Sequence, residues 1–201
     1  VFGDWSSDVC SSDLAALILL PAAAIAHSPI KGLDNFYAGF LHPLFVPAHL
    51  LPILVLGILF GQQGPARLQA AIIVFLVSVV GGLAATLLSP GWSVELALLV
   101  GAAATGVLVA LAIPLPLAAY VALAALLGLM IGIDSAQDDL GGRGRLAALL
   151  GTCIAAYLLL LYAVVFADFF SRRQWQRIGL RIAGSWVAAS ALLVLSLSFA
   201  R

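Results

Sequence analysis

Charged residues are scarce in this 201-residue sequence: Asp, Glu, Lys and Arg together make up 9% of it, where a soluble domain carries about 25%. Too few polar side chains are present to cover a surface that faces water. The nine basic and nine acidic residues cancel, which leaves no basic field for a nucleic acid partner. Cysteine is nearly absent: Cys10 sits in a polar leader and Cys153 in the middle of an apolar run, and no disulfide is expected from so unlike a pair. The three histidines do not form a cluster of the usual metal-binding spacing. No nucleophile–base pair and no P-loop appears, so the sequence reads as neither an enzyme nor an ATP-driven pump. The apolar runs do not alternate with polar residues, which excludes the strand pattern of a membrane barrel.

What remains is hydrophobic: 64% of residues, with a mean hydropathy of +1.17. The chain belongs in a bilayer. Its first fourteen residues, "VFGDWSSDVCSSDL", are unlike everything after them and resemble a translated sequencing-adapter read, the alternative being an ordinary polar leader. They are set aside from functional argument, with Asp4, Asp8, Cys10 and Asp13. Residues 15–26, "AALILLPAAAIA", are too short to cross a hydrocarbon core of about 30 Å. They end in a small-x-small pattern, and so read as the apolar region and cleavage site of a signal peptide, cut after Ala26; a retained short anchor is the alternative.

Residues 27–201 then form the membrane domain. Six apolar runs are expected as transmembrane helices: Phe36–Gly61, Leu68–Leu88, Val94–Ile113, Leu115–Ile133, Leu146–Ala167 and Ile178–Phe199. Each has about 19–26 residues, the length that a helix needs to cross. The fold class is therefore all-α, a polytopic bundle of six spans after a cleaved signal. Breakers mark the connections: "GQQGPAR", "SPGW", "IPLP", "DSAQDDLGGRGR" and "SRRQWQR". With an outer N-terminus, Arg67, Arg172, Arg173, Arg177 and Arg181 fall inside, while Lys31, Arg143, Arg145 and Arg201 fall outside. The dense arginine cluster before the last span fixes this orientation. Glycine and alanine are dense at "GGLAA", "GAAATG" and "GLMIG", where backbones can approach closely.

Ionisable residues inside spans are costly and point to function. His42 and His49 lie in the first run, within "GFLHPLFVPAHLL". On a continuous helix their seven-residue spacing puts them two turns apart, about 10.5 Å. That is too far to share an ion held at about 2.0–2.1 Å from each ring. Pro43 and Pro47 change the expectation, because each removes a backbone donor and disrupts the preceding turn. A broken helix brings both rings to one cavity, as in transporters. The alternative is that the histidines only tie helices together. Asp134 closes the fourth span. Glu95 opens the third, where a carboxylate also favours the helix dipole. Asp168 reads as a helix-end residue paired with Arg172, an exposed pair worth little.

The segment "AHS…AGFLHPLFVPAHLLPILVLGILFGQQG" resembles the HupE/UreJ family, hydrogenase and urease accessory membrane proteins regarded as nickel permeases. That family carries an HPxxGxDH pattern in its first span, matched here at His42, Pro43 and His49. His27 matches its mature N-terminal histidine, and Glu95 falls in register with its third span. Val46 stands where the pattern has Gly, and Ala48 where it has Asp. A second histidine cluster of the family is missing, with Asp134 near its place. The resemblance implies a multi-pass protein of the bacterial inner membrane that passes a divalent metal ion, nickel by analogy, through His42, His49, His27, Asp134 and Glu95. It implies no permanently bound cofactor, and partners limited to the bilayer, the ion and a second copy of the chain. A non-transporting membrane scaffold that kept the bundle is the alternative.

Overall fold

The computed structural model describes residues 34–88, 93–136 and 140–199. The adapter-like leader, the signal-like segment and His27 lie outside the described residues. Among the described residues the protein is entirely helical, with no strand. Seven helices follow in order: α1 (Asn35–Phe45), α2 (Pro47–Gln63), α3 (Pro65–Leu88), α4 (Glu95–Leu111), α5 (Leu117–Asp134), α6 (Gly142–Phe169) and α7 (Gln174–Phe199).

The breakers end the helices where the sequence places them. Val46 takes an extended conformation (φ −96°, ψ 108°) between α1 and α2, as the residue before a proline is biased to do. Gly64 turns the chain after α2 at φ 87°, in the left-handed region open to glycine. α5 starts directly after Pro116. α6 begins at Gly142, four residues ahead of its apolar run, so Arg143 and Arg145 belong to its first turn instead of the loop.

Among the described residues four helices are long and apolar enough to cross a membrane: α3, α5, α6 and α7. The first expected span is two helices, α1 and α2, bent by 69°, and the pair counts as a fifth crossing only if taken as one. α4 has 17 residues, a length of about 25 Å against a core of about 30 Å.

Helices that are neighbours in sequence are not the main packing partners. α3 packs most extensively on α5, α4 on α7, and α6 on both α1 and α2. Glycines set the first two contacts. A methyl group added at Gly82 of α3 would lie 2.8 Å from Gly132 Cα and 2.8 Å from the Ile133 amide nitrogen of α5. Further along, Gly128 meets Phe75, so the two helices run parallel. Gly106 of α4 faces Gly184 and Ala188 of α7, and Arg181 of α7 reaches Ala110 of α4, so that pair runs antiparallel. Close backbone approach of this kind is the main source of association between helices in lipid. The central core collects Ile53, Leu56, Phe60, Phe75, Tyr120 and Leu127, all fully buried. Val77, Val107, Leu150, Trp186 and Leu192 are exposed on the outer faces, an apolar belt suited to acyl chains.

Candidate functional site

The break at Val46 determines the geometry of the two histidines. The Val46 amide donates to the His42 carbonyl at 3.1 Å, and its own carbonyl accepts from the amides of His49 and Leu50 at 3.0 and 2.9 Å. One extended residue thus ends α1 and starts α2 with its backbone groups satisfied, as membrane depth requires. The bend folds the two rings together, with centroids 4.9 Å apart and planes inclined at 64°. On a straight helix they would stand about 10.5 Å apart along the axis.

His49 is 1% exposed. Its Nε2 lies 3.0 Å from Asp134 Oδ2, across to the last residue of α5. The other carboxylate oxygen, Oδ1, accepts from the Val94 amide at 2.8 Å and stands 3.4 Å from the Ser93 hydroxyl. Asp134 therefore joins the start of α2, the start of α4 and the end of α5. Where the family pattern has Asp, Ala48 is buried in a separate apolar cluster with Leu99 and Ala102. The carboxylate that meets the second histidine comes from another helix.

The structure sets His49 against His42 on one side and Asp134 on the other. It does not bring Glu95 into that group by any bond among the described residues: Glu95 is exposed in the first turn of α4, where its charge favours the helix dipole. Among the described residues no set of three or more His, Cys, Asp or Glu converges as a ready-made metal site. Each oxygen of Asp134 is turned to a protein donor.

Sequence reasoning passed over several supports at this end of the bundle. Arg145 Nη2 donates to the Thr86 carbonyl at 2.7 Å, joining α6 to α3. Thr152 Oγ1 lies 3.0 Å from the Gly39 carbonyl and 3.1 Å from that of Ala148, and ties α6 to α1 one turn before His42. No local pattern distinguishes these residues; Thr152 reads as one more residue of an apolar run. At the opposite end, Gln63 clamps the α4–α5 connection through Ile113 and Leu115, and Arg67 donates to the Leu115 carbonyl. Asp168 and Arg172 stand 4.0 Å apart and largely exposed, a weak pair as expected.

Two histidines meet edge to face at a proline break, in the segment that carries the first-span resemblance. The family model described as HupE / UreJ protein matches residues 15–194. No curated protein matches the chain, and no solved structure does. A match that runs through nearly the whole chain, and not only through the histidine segment, settles the relationship: the chain belongs to the HupE / UreJ family.

Proposed function

We infer that this protein is a multi-pass permease of the bacterial inner membrane that takes a divalent metal ion, nickel by family, through the end of the bundle where His42, His49 and Asp134 meet. Six crossings underlie this reading, with α1 and α2 as one broken span and α4 as a short one, and with the arginine-rich α6–α7 connection on the cytoplasmic side. The ion is cargo, and the protein keeps no cofactor. The single observation that carries the reading is the fold-back at Val46, which sets two imidazole rings 4.9 Å apart beside a carboxylate. Membrane helices hold ionisable groups at a cost, and broken helices are where transporters place their ion sites. Imidazole nitrogen suits nickel, copper and zinc over magnesium or calcium.

Titration of the purified protein with nickel, cobalt and zinc tests it, together with nickel uptake by cells that express the chain. His42→Ala and His49→Ala should each lower nickel affinity while the protein still inserts. Full binding by the double variant, or none by the unmutated protein, sinks the permease reading.

A second reading has an observation of its own. The Asp134 oxygens already bond to His49 and Val94, which is what a helix tie in a non-transporting scaffold requires. In that case His49→Gln should keep most of the stability, since interhelical hydrogen bonds in membranes contribute about 0.6 kcal/mol on average. It should leave metal uptake by cells at the background level.

A further inference from the structure

The other ring nitrogen of His49, Nδ1, is buried and has no hydrogen-bond partner among the described residues. A buried polar atom left unpaired is costly, and nearly all such atoms in native proteins find a partner. The atom asks for an explanation, and the opposite side of the ring supplies it. Nε2 faces Asp134 Oδ2 at 3.0 Å. An ionised carboxylate only accepts hydrogen bonds, so Nε2 carries the proton and donates it. In the neutral ring the lone pair then sits on Nδ1. That lone pair is held in a dry place, with the His42 ring 4.9 Å from its own.

We propose that Asp134 is a positioning residue and not a metal ligand: it fixes His49 in the tautomer whose Nδ1 binds the divalent cation. The proposal rests on the permease reading for the identity of the cargo and deepens it by naming the ligand atom. It also revises the expectation that the ion passes through Asp134 itself. Both carboxylate oxygens are engaged, Oδ2 by His49 and Oδ1 by the Val94 amide. Each oxygen keeps a second lone pair, but Oδ2 stands on the Nε2 side of the ring, so an ion bound at Nδ1 lies on the ring's other side. There the carboxylate acts as a backing group. Metal-binding histidines commonly donate their second N–H to a carboxylate, which fixes the ring and raises its basicity, and loss of that partner lowers affinity by about 10–100-fold. The arrangement also accounts for the Val94 bond: a carboxylate that must aim one oxygen at a ring is steadied by a backbone amide on the other. The first coordination sphere is then nitrogen from His42 and His49, a softer set than imidazole plus carboxylate, which favours nickel over magnesium.

The test uses the full chain, purified in detergent with ¹⁵N-labelled histidine, and nickel as the probe. In the metal-free protein, His49 should show a protonated Nε2 and a bare Nδ1, its signal assigned by loss in His49→Gln. Asp134→Asn has one oxygen for two donors: the Val94 amide takes it and the new NH2 group faces Nε2, so the ring should move its proton to Nδ1 and nickel affinity should fall about 10–100-fold. Asp134→Leu should mix the tautomers and lose about 10–100-fold. X-ray absorption of the nickel-loaded protein should give the same imidazole count in the unmutated chain and in Asp134→Asn. A His49 ring protonated at Nδ1 in the unmutated chain, or a nickel-bound carboxylate oxygen that vanishes in Asp134→Asn, overturns the proposal and leaves the permease reading standing. The expected tautomer in a chain that binds no nickel overturns the permease reading, and Nδ1 loses its role as ligand with it. Should Asp134→Leu fail to fold, the tautomer of the unmutated protein and the Asp134→Asn spectra still decide the matter.

Discussion

Two adjacent glycines of α3 should respond to the same substitution in opposite ways. Gly82 packs on the α5 backbone: an added methyl group would meet Gly132 Cα and the Ile133 nitrogen at 2.8 Å, with the Leu129 carbonyl oxygen closer still. All three are backbone atoms and cannot swing aside. Ordinary contact begins at 3.4 Å, so Gly82→Ala must part α3 and α5 by at least about 0.6 Å, a case of overpacking that costs about 1–3 kcal/mol. The damage reaches the site, because Asp134 lies two residues beyond Gly132 on the displaced helix. A movement of that size along the 3.0 Å bond to His49 takes it to about 3.6 Å, where no hydrogen bond remains. Gly81, one residue earlier, has nothing within 4 Å of an added methyl group. Gly81→Ala should be neutral or stabilising by up to about 1 kcal/mol, through helix propensity alone. Equilibrium unfolding in mixed detergent–dodecyl sulfate micelles measures both, and nickel titration follows the site. If Gly82→Ala proves as stable as Gly81→Ala, the α3–α5 contact described above is wrong.

Other substitutions probe the remaining links. Pro47→Ala frees Val46 to become helical, so the rings should part toward their two-turn separation and nickel affinity should fall at least about tenfold by calorimetry; unchanged affinity would show that the proline does not maintain the break. Thr152→Val keeps the shape but removes the hydroxyl between α6 and Gly39, and should lower unfolding stability by about 0.6 kcal/mol, at most about 1.7. For orientation, cysteines introduced at Ser171 and Gly141, with Cys10 and Cys153 replaced by alanine, should label from the cytoplasmic and outer sides respectively. The reverse pattern would invert the topology.

The helices were legible because each apolar run is bounded by residues that break helices for local reasons, such as Gly64–Pro65 and Pro114–Leu115–Pro116. The convergence of His42 and His49 was legible for the same kind of reason: spacing and prolines are properties of one short segment. The partner of His49 was not. Asp134 lies 85 residues away, and nothing near it in sequence says which of its oxygens meets a ring and which meets the Val94 amide. Small-residue density at "GGLAA" and "GLMIG" marked faces for close packing, yet not that these two faces meet each other, nor that Gly39 and Gly151 lie at the crossing of α1 and α6. The span count was hardest to read, because hydropathy sums over Phe36–Gly61 without registering a 69° turn in its middle.

The pairing of α3 with α5 and of α4 with α7 sets a timetable for assembly. Gly82 is made before Gly132, and Gly106 well before Gly184. At about 5–20 residues per second, the first pair waits for seconds and the second for longer still. During that interval each helix stands in lipid with its contact face bare. In water, an apolar contact face left bare would invite aggregation. In a bilayer, a face of glycine and alanine is solvated by acyl chains at no hydrophobic penalty, so a chain that joins distant spans can be released into the membrane one helix at a time and close its pairs afterwards. The end that carries His42, His49 and Asp134 takes its final form only once α6, which holds α1 and α2, has followed α5 out of the ribosome.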